Sequence, residues 1–123
     1  MTLKFSMAFN VGRTNQEREE ACRMYQEAFG ARRLSESFAS GGDIHIMMDF
    51  QGLAVMLAPG GKVEKTTENA MCCEFLFDQE EALRHAYEVL SRDSLSHSIG
   101  SYPWAPVGAL VTDRFGVCWW LRT

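Results

Sequence analysis

Glu19-Glu20-Ala21-Cys22-Arg23 returns 61 residues later as Glu80-Glu81-Ala82-Leu83-Arg84. Asp49-Phe50-Gln51-Gly52, followed by Leu57, returns as Asp113-Arg114-Phe115-Gly116, followed by Leu121. The two matches come in the same order and at nearly the same offset, about half of the 123-residue chain. Either alone is what chance supplies. Together they read as a duplicated unit.

The pattern around each match repeats as well. Residues 3–11 alternate apolar with small or polar side chains, the period of a strand with one face on a core. Gly12-Arg13-Thr14-Asn15 is a turn in which Thr14 or Asn15 caps the next element. Residues 16–29 carry a helical stripe of Ala21, Met24, Tyr25, Ala28 and Phe29, with glutamates crowding the first turn and Gly30 ending the helix. Strands are predicted at 32–40, 43–50 and 53–58, joined by Gly41-Gly42 and Gln51-Gly52. After a polar linker at 59–69 the order restarts, with a strand at 70–77, a helix at 79–91 and strands at 94–101, 107–112 and 117–121. The predicted fold class is therefore α+β, one domain over 1–123 made of two tandem βαβββ modules, 1–58 and 70–123.

Composition excludes several function classes. With 46% hydrophobic and 23% charged residues the chain is an ordinary globular sequence. A net charge of −4 gives no basic footprint, so no nucleic-acid partner is expected. No apolar run is long enough for a membrane span. The first ten residues alternate rather than cluster, unlike a secretion signal, so the expected location is cytoplasmic. Cys22, Cys72, Cys73 and Cys118 include an adjacent pair and no C-x-x-C, and all four are expected to be reduced, packed thiols. Glycine-rich phosphate loops, nucleophile elbows and H-E-x-x-H are absent from the sequence.

Two stretches carry a family likeness. Glu20-Ala21-Cys22-Arg23-Met24-Tyr25-Gln26-Glu27-Ala28-Phe29-Gly30-Ala31 resembles the helix end of the vicinal oxygen chelate superfamily, which includes glyoxalase I, extradiol dioxygenases and bleomycin-resistance proteins. Tyr102-Pro103-Trp104-Ala105-Pro106-Val107-Gly108, with Thr112-Asp113-Arg114-Phe115-Gly116-Val117-Cys118-Trp119-Trp120-Leu121, resembles the close of its PhnB-like branch. The resemblance implies that the modules form a curved, cup-shaped mixed sheet, that the cup takes a small molecule, and that the protein is a homodimer.

The resemblance also implies a divalent metal held by His, Glu or Gln on the first and last strand of each unit. Those positions fall on Ser6, Met56, Cys72 and Trp120. One thiol is not a site and an indole does not ligate, so no metal and no cofactor is expected.

Strand alternation puts Cys72, Glu74 and Leu76 on the cup face if Phe75 and Phe77 face the helices. Glu74 then serves as a general base or meets a cationic ligand; the plainer reading has it bonded to a neighbouring polar side chain or wet at an open rim. His45 stands opposite Ile44, Ile46 and Met48, as a proton shuttle or simply a solvated histidine. His97 reads as packed. Trp104, between Pro103 and Pro106, is placed to stack on a flat ligand at the cup mouth, or to fill a core or dimer interface. Trp119 and Trp120 point to opposite faces, Trp120 into the cup, where Met56 suits an adaptable lining. The leading expectation is a metal-independent small-molecule binding protein; the alternative is a lyase or isomerase using Glu74 or His45 as base, with a recruited metal.

Overall fold

A computed structural model describes residues 2–59 and 64–123. The chain divides into two compact units between residues 63 and 64. The expected linker contains that boundary; its residues 60–63 lie outside the described ones, and 64–69 form neither helix nor strand.

The first unit holds β1 (Met7–Asn10), α1 (Asn15–Phe29), β2 (Arg32–Phe38), β3 (Ile44–Phe50) and β4 (Leu53–Ala58). Its sheet has the order β1-β4-β3-β2, with β1 parallel to β4 and the other pairs antiparallel. The second unit repeats this with β5 (Cys73–Leu76), α2 (Glu80–Ser91), β6 (Ser96–Tyr102), β7 (Ala105–Thr112) and β8 (Cys118–Arg122), in the order β5-β8-β7-β6. The predicted α+β class and tandem βαβββ modules hold.

The first strand is shorter than its sequence pattern. Alternation runs through 3–11, but only Met7–Asn10 finds a partner, along Val55–Ala58 of β4. Leu3 and Phe5 keep the apolar phase without a ladder and stand 82% and 77% exposed. Thr14, not Asn15, caps α1: its Oγ1 accepts the Glu17 N–H at 3.1 Å. Asn15 instead fastens the β2–β3 turn, accepting the Ile44 N–H at 2.9 Å and donating to the Gly42 carbonyl at 2.9 Å. Gly30 closes the helix in the left-handed region that a side chain would disfavour.

Each helix covers one face of its own sheet. Tyr25 and Phe29 of α1 both pack on Phe50 at 5.7 Å between ring centres, so Ile44, Ile46, Met48 and Phe50 lie beneath the helix. In the second unit α2 packs against β7 and β8, where its Leu83 and Leu90 share a core with Val111, Trp119 and Leu121. Burial of side chains this large contributes on the order of 1.5–3 kcal/mol each. The residues between, at period two, form an open face on each sheet.

The repeated Asp-x-x-Gly hairpins differ by one residue. Met47 pairs with Met56 as Leu110 pairs with Trp120, so the Asp49–Ala54 pair corresponds to Thr112–Cys118. Asp113 therefore takes the place of Phe50, not of Asp49. The cause is the turn: Gln51-Gly52 is a two-residue loop with positive φ at both positions, whereas the second hairpin needs one residue more. Beyond the turn the sequence matching of Met56 with Trp120 is right.

The cysteines correct another expectation. Cys72 and Cys118 are joined by a disulfide across the start of the β5–β8 ladder, their Cα atoms 4.6 Å apart. Alternation sends the adjacent Cys72 and Cys73 to opposite faces, so only Cys72 meets Cys118. Cys22 and Cys73 stay as buried thiols outside the cross-link. Burial pushes both up from the ordinary thiol range, and at Cys73 the charge of Asp113 adds to it. A group raised on folding stabilises below its unfolded value and loses that contribution as pH climbs through the folded one, so stability should begin to fall above about pH 9. Denatured, unreduced protein should titrate two thiols with a chromogenic disulfide reagent; four would remove the cross-link.

Candidate functional site

The open face of the second sheet gathers most of the expected site residues. Glu74 on β5 and Trp120 on β8 are direct register partners, and Trp120 in turn faces Leu110 on β7. Trp119 points the other way, fully buried, its Nε1–H donated to Asp113. The expected register is thus the observed one, with Cys72, Glu74 and Leu76 on the side away from α2.

Glu74 has a partner that sequence reading missed. Arg122 stands two residues beyond Trp120 on the same face, and its Nε donates to Glu74 Oε1 at 2.6 Å. The carboxylate is 51% exposed, so this is a rim ion pair of modest energy. Of the two readings of Glu74 the plainer one is seen: it bonds a polar neighbour. A base role in a lyase or isomerase would first have to break that pair. Parity with Trp120 is the signal that marks Arg122.

Trp104 lies in the tight turn Pro103-Trp104 between β6 and β7 and is 66% exposed. Its ring packs on Tyr102 at 5.3 Å, and Tyr102 meets Trp120 edge-on at 5.4 Å. Gly108 makes this possible. A Cβ there would come within 2.7 Å of Trp120 and 2.8 Å of Tyr102, so both rings rest on bare backbone. Gly108 is also the register partner of Arg122. Two aromatic rings thus lie over a residue without a side chain, and Trp104 continues from Tyr102, while the Arg122 side chain turns to Glu74 on β5. Tyr102 and Gly108 were legible in sequence only as parts of a family motif.

His45 and Met56 belong to the first unit. Met56 lies between Ala8 and Met47 on its open face, and His45 shares that face opposite Ser37, half-buried. They are not neighbours in register. His97 pairs with Val111 on the helix side but is exposed, not packed as expected: it meets Tyr87 edge-on at 6.0 Å, and its Nδ1 meets Ser94 Oγ at 2.8 Å.

The donors do not suit the divalent metal that the fold implies. Ser6 lies exposed ahead of β1, Met56 offers a thioether, Cys72 is bonded to Cys118, and Trp120 has no lone pair to give. Among the described residues no three His, Cys, Asp or Glu side chains are grouped as a metal would need. No helix among the described residues is long and apolar enough to cross a membrane.

No protein-family model matches the chain, and no curated protein matches it in sequence. Solved structures do. The PhnB protein from Bacillus cereus aligns at TM-score 0.78 and 22% identity, over 98% of each chain. A glyoxylase/bleomycin resistance protein/dioxygenase domain from Frankia sp. EAN1pec aligns at 0.72 and 14%, over 99% of this chain and 91% of that one. The fosfomycin resistance protein FosX from Mesorhizobium loti aligns at 0.68 and 19%, over 100% and 92%. With the repeated βαβββ units, these likenesses establish that the chain has the vicinal oxygen chelate fold.

Proposed function

We propose that this protein binds a small molecule without a metal, on the open face of the β5–β8–β7–β6 sheet, and that it acts as a cytoplasmic homodimer. The observation that carries the reading is the Trp104–Tyr102–Trp120 array seated on Gly108. Aromatic ring surface held in place beside a few polar groups is the make-up of a ligand site. Structural neighbours named for fosfomycin and bleomycin resistance point toward small-molecule handling. Exposed Leu3, Phe5 and Phe38 support an interface with a second copy. A cytoplasmic setting makes the Cys72–Cys118 bond the feature to check, because cytosolic glutathione keeps most thiols reduced.

One native mass spectrum of freshly purified protein tests the reading. The expected species has twice the 13.9 kDa chain mass, carries no stoichiometric metal, and gains one aromatic small molecule per chain when the protein is exposed to a mixed library. A metal ion on every chain, or no adduct from such a library, would overturn it.

A further inference from the structure

The polar end of the aromatic array narrows the ligand class, an assignment that rests on the open face being a ligand site. Arg122 lies opposite Gly108, over which the Tyr102 and Trp120 rings sit. Its side chain reaches across to β5, where Nε is taken by Glu74. Among the described residues Glu74 is its one side-chain partner, so both terminal amino groups are left without a bond.

That arrangement has a chemical sense. Anchoring through Nε fixes the plane of the guanidinium and leaves its end-on edge, with two parallel N–H donors, to meet a planar anion. This is the geometry in which arginine takes a carboxylate in two hydrogen bonds. Glu74 meanwhile has its charge balanced by Arg122, so a cationic ligand would have to compete with a guanidinium already in place. On the same face of the sheet Trp120 lies two residues away on the strand, and Tyr102 and Trp104 continue from it. Ring faces beside a free guanidinium edge complement a flat ring that bears an acid group.

We propose that the ligand is a planar aromatic acid, its ring lying on the Trp104–Tyr102–Trp120 array and its carboxylate held by the terminal amino groups of Arg122. Glu74 is then a positioning residue, which orients Arg122 and does not touch the ligand.

Calorimetric titration of the full chain with three naphthyl probes tests this: naphthoate, naphthalenemethanol and naphthylmethyl-trimethylammonium. Naphthoate should bind most tightly. Arg122→Met, which keeps the aliphatic stem, should weaken naphthoate by about tenfold or more and leave naphthalenemethanol unchanged. Arg122→Lys should recover only part of the loss, because an ammonium lacks the fork, and it serves if the Met variant does not fold. Gly108→Ala, by displacing the rings, should weaken all three probes together. If the alcohol or the ammonium binds as tightly as the acid, or Arg122→Met leaves naphthoate untouched, the acid assignment falls while the face survives as a ligand site. If none of the probes binds, both fall.

Discussion

Asp113→Ala should remove about 4 kcal/mol of folding stability, because it strands two buried donors at once and weakens a third. The Asp113 carboxylate is fully buried, at a position whose counterpart in the first unit is Phe50. Its Oδ1 accepts the N–H groups of Phe115 and Val117 at 2.9 and 3.0 Å, and its Oδ2 accepts the Trp119 indole N–H at 2.9 Å. The backbone closes the same turn, from Gly116 N–H to the Asp113 carbonyl and from Asp113 N–H to the Val117 carbonyl. Alanine takes the acceptor from two buried donors, each costing about 1–3 kcal/mol, and from the part-buried Val117 N–H, which costs less. Asp113→Asn is the sharper probe. Its amide oxygen can still serve Phe115 and Val117, but its NH2 then faces the indole N–H, donor against donor, at a cost of about 1–2 kcal/mol. Urea unfolding with an unchanged slope would report both. A loss below about 1 kcal/mol for the alanine variant would mean that the backbone bonds alone hold the turn.

The same residue shows where sequence reading succeeds and where it stops. The closing Asp-Arg-Phe-Gly-Val-Cys-Trp-Trp run is legible as a hairpin, and alternation through it puts Trp119 and Trp120 on opposite faces, with Trp119 on the buried one. Periods of two and 3.6 are written into every element, which is why the eight strands and two helices among the described residues can all be placed. What alternation does not encode is loop length in three dimensions: spelling matches Asp49 with Asp113, whereas the ladder sets them one step apart. In the first unit Asp49 stays at the surface, held below the usual carboxylate range by Arg32 and then by the Gly52 N–H. In the second, one extra loop residue turns the aspartate into the core.

The candidate site is half legible for a related reason. Glu74 and Trp120 follow from parity within one strand each, and the ladder between β5 and β8 is what pairs them. Arg122 and Gly108 take part only because β7 and β8 lie side by side, a fact of pairing between strands, and Tyr102 reaches them across a register shift between Gly100 and itself. The Cys72–Cys118 bond is likewise a product of pairing, 46 residues apart in sequence. Alternation tells which way a side chain points. It does not tell what it will meet.

Arg18→Met should destabilise by about 3 kcal/mol, by removing a buried cation on which a whole loop is folded. Arg18 stands at helical spacing with Ala21, Cys22 and Tyr25, so a charged residue sits on the apolar stripe of α1, and it is fully buried. Its NH1 donates to the Gly12 carbonyl at 2.6 Å, with Val11 O at 3.5 Å, and its NH2 donates to Asn15 Oδ1 at 3.0 Å. Asp43 lies at 3.4 Å but is half exposed, and Nε has no partner among the described residues. The guanidinium thus works chiefly as a donor to the loop between β1 and α1, and only weakly as one half of an ion pair. Gly12 matches that use: it holds a positive φ, and a Cβ there would come within 2.8 Å of the Arg18 backbone nitrogen. Two variants separate these contributions. Asp43→Asn should cost under about 1 kcal/mol, as expected of an exposed partner in a high dielectric. Arg18→Lys should lose much of what Met loses, because an ammonium cannot reach the Gly12 carbonyl and Asn15 with one planar fork. Should Asp43→Asn prove as costly as Arg18→Met, the ion pair and not the carbonyl cradle would be what holds this loop.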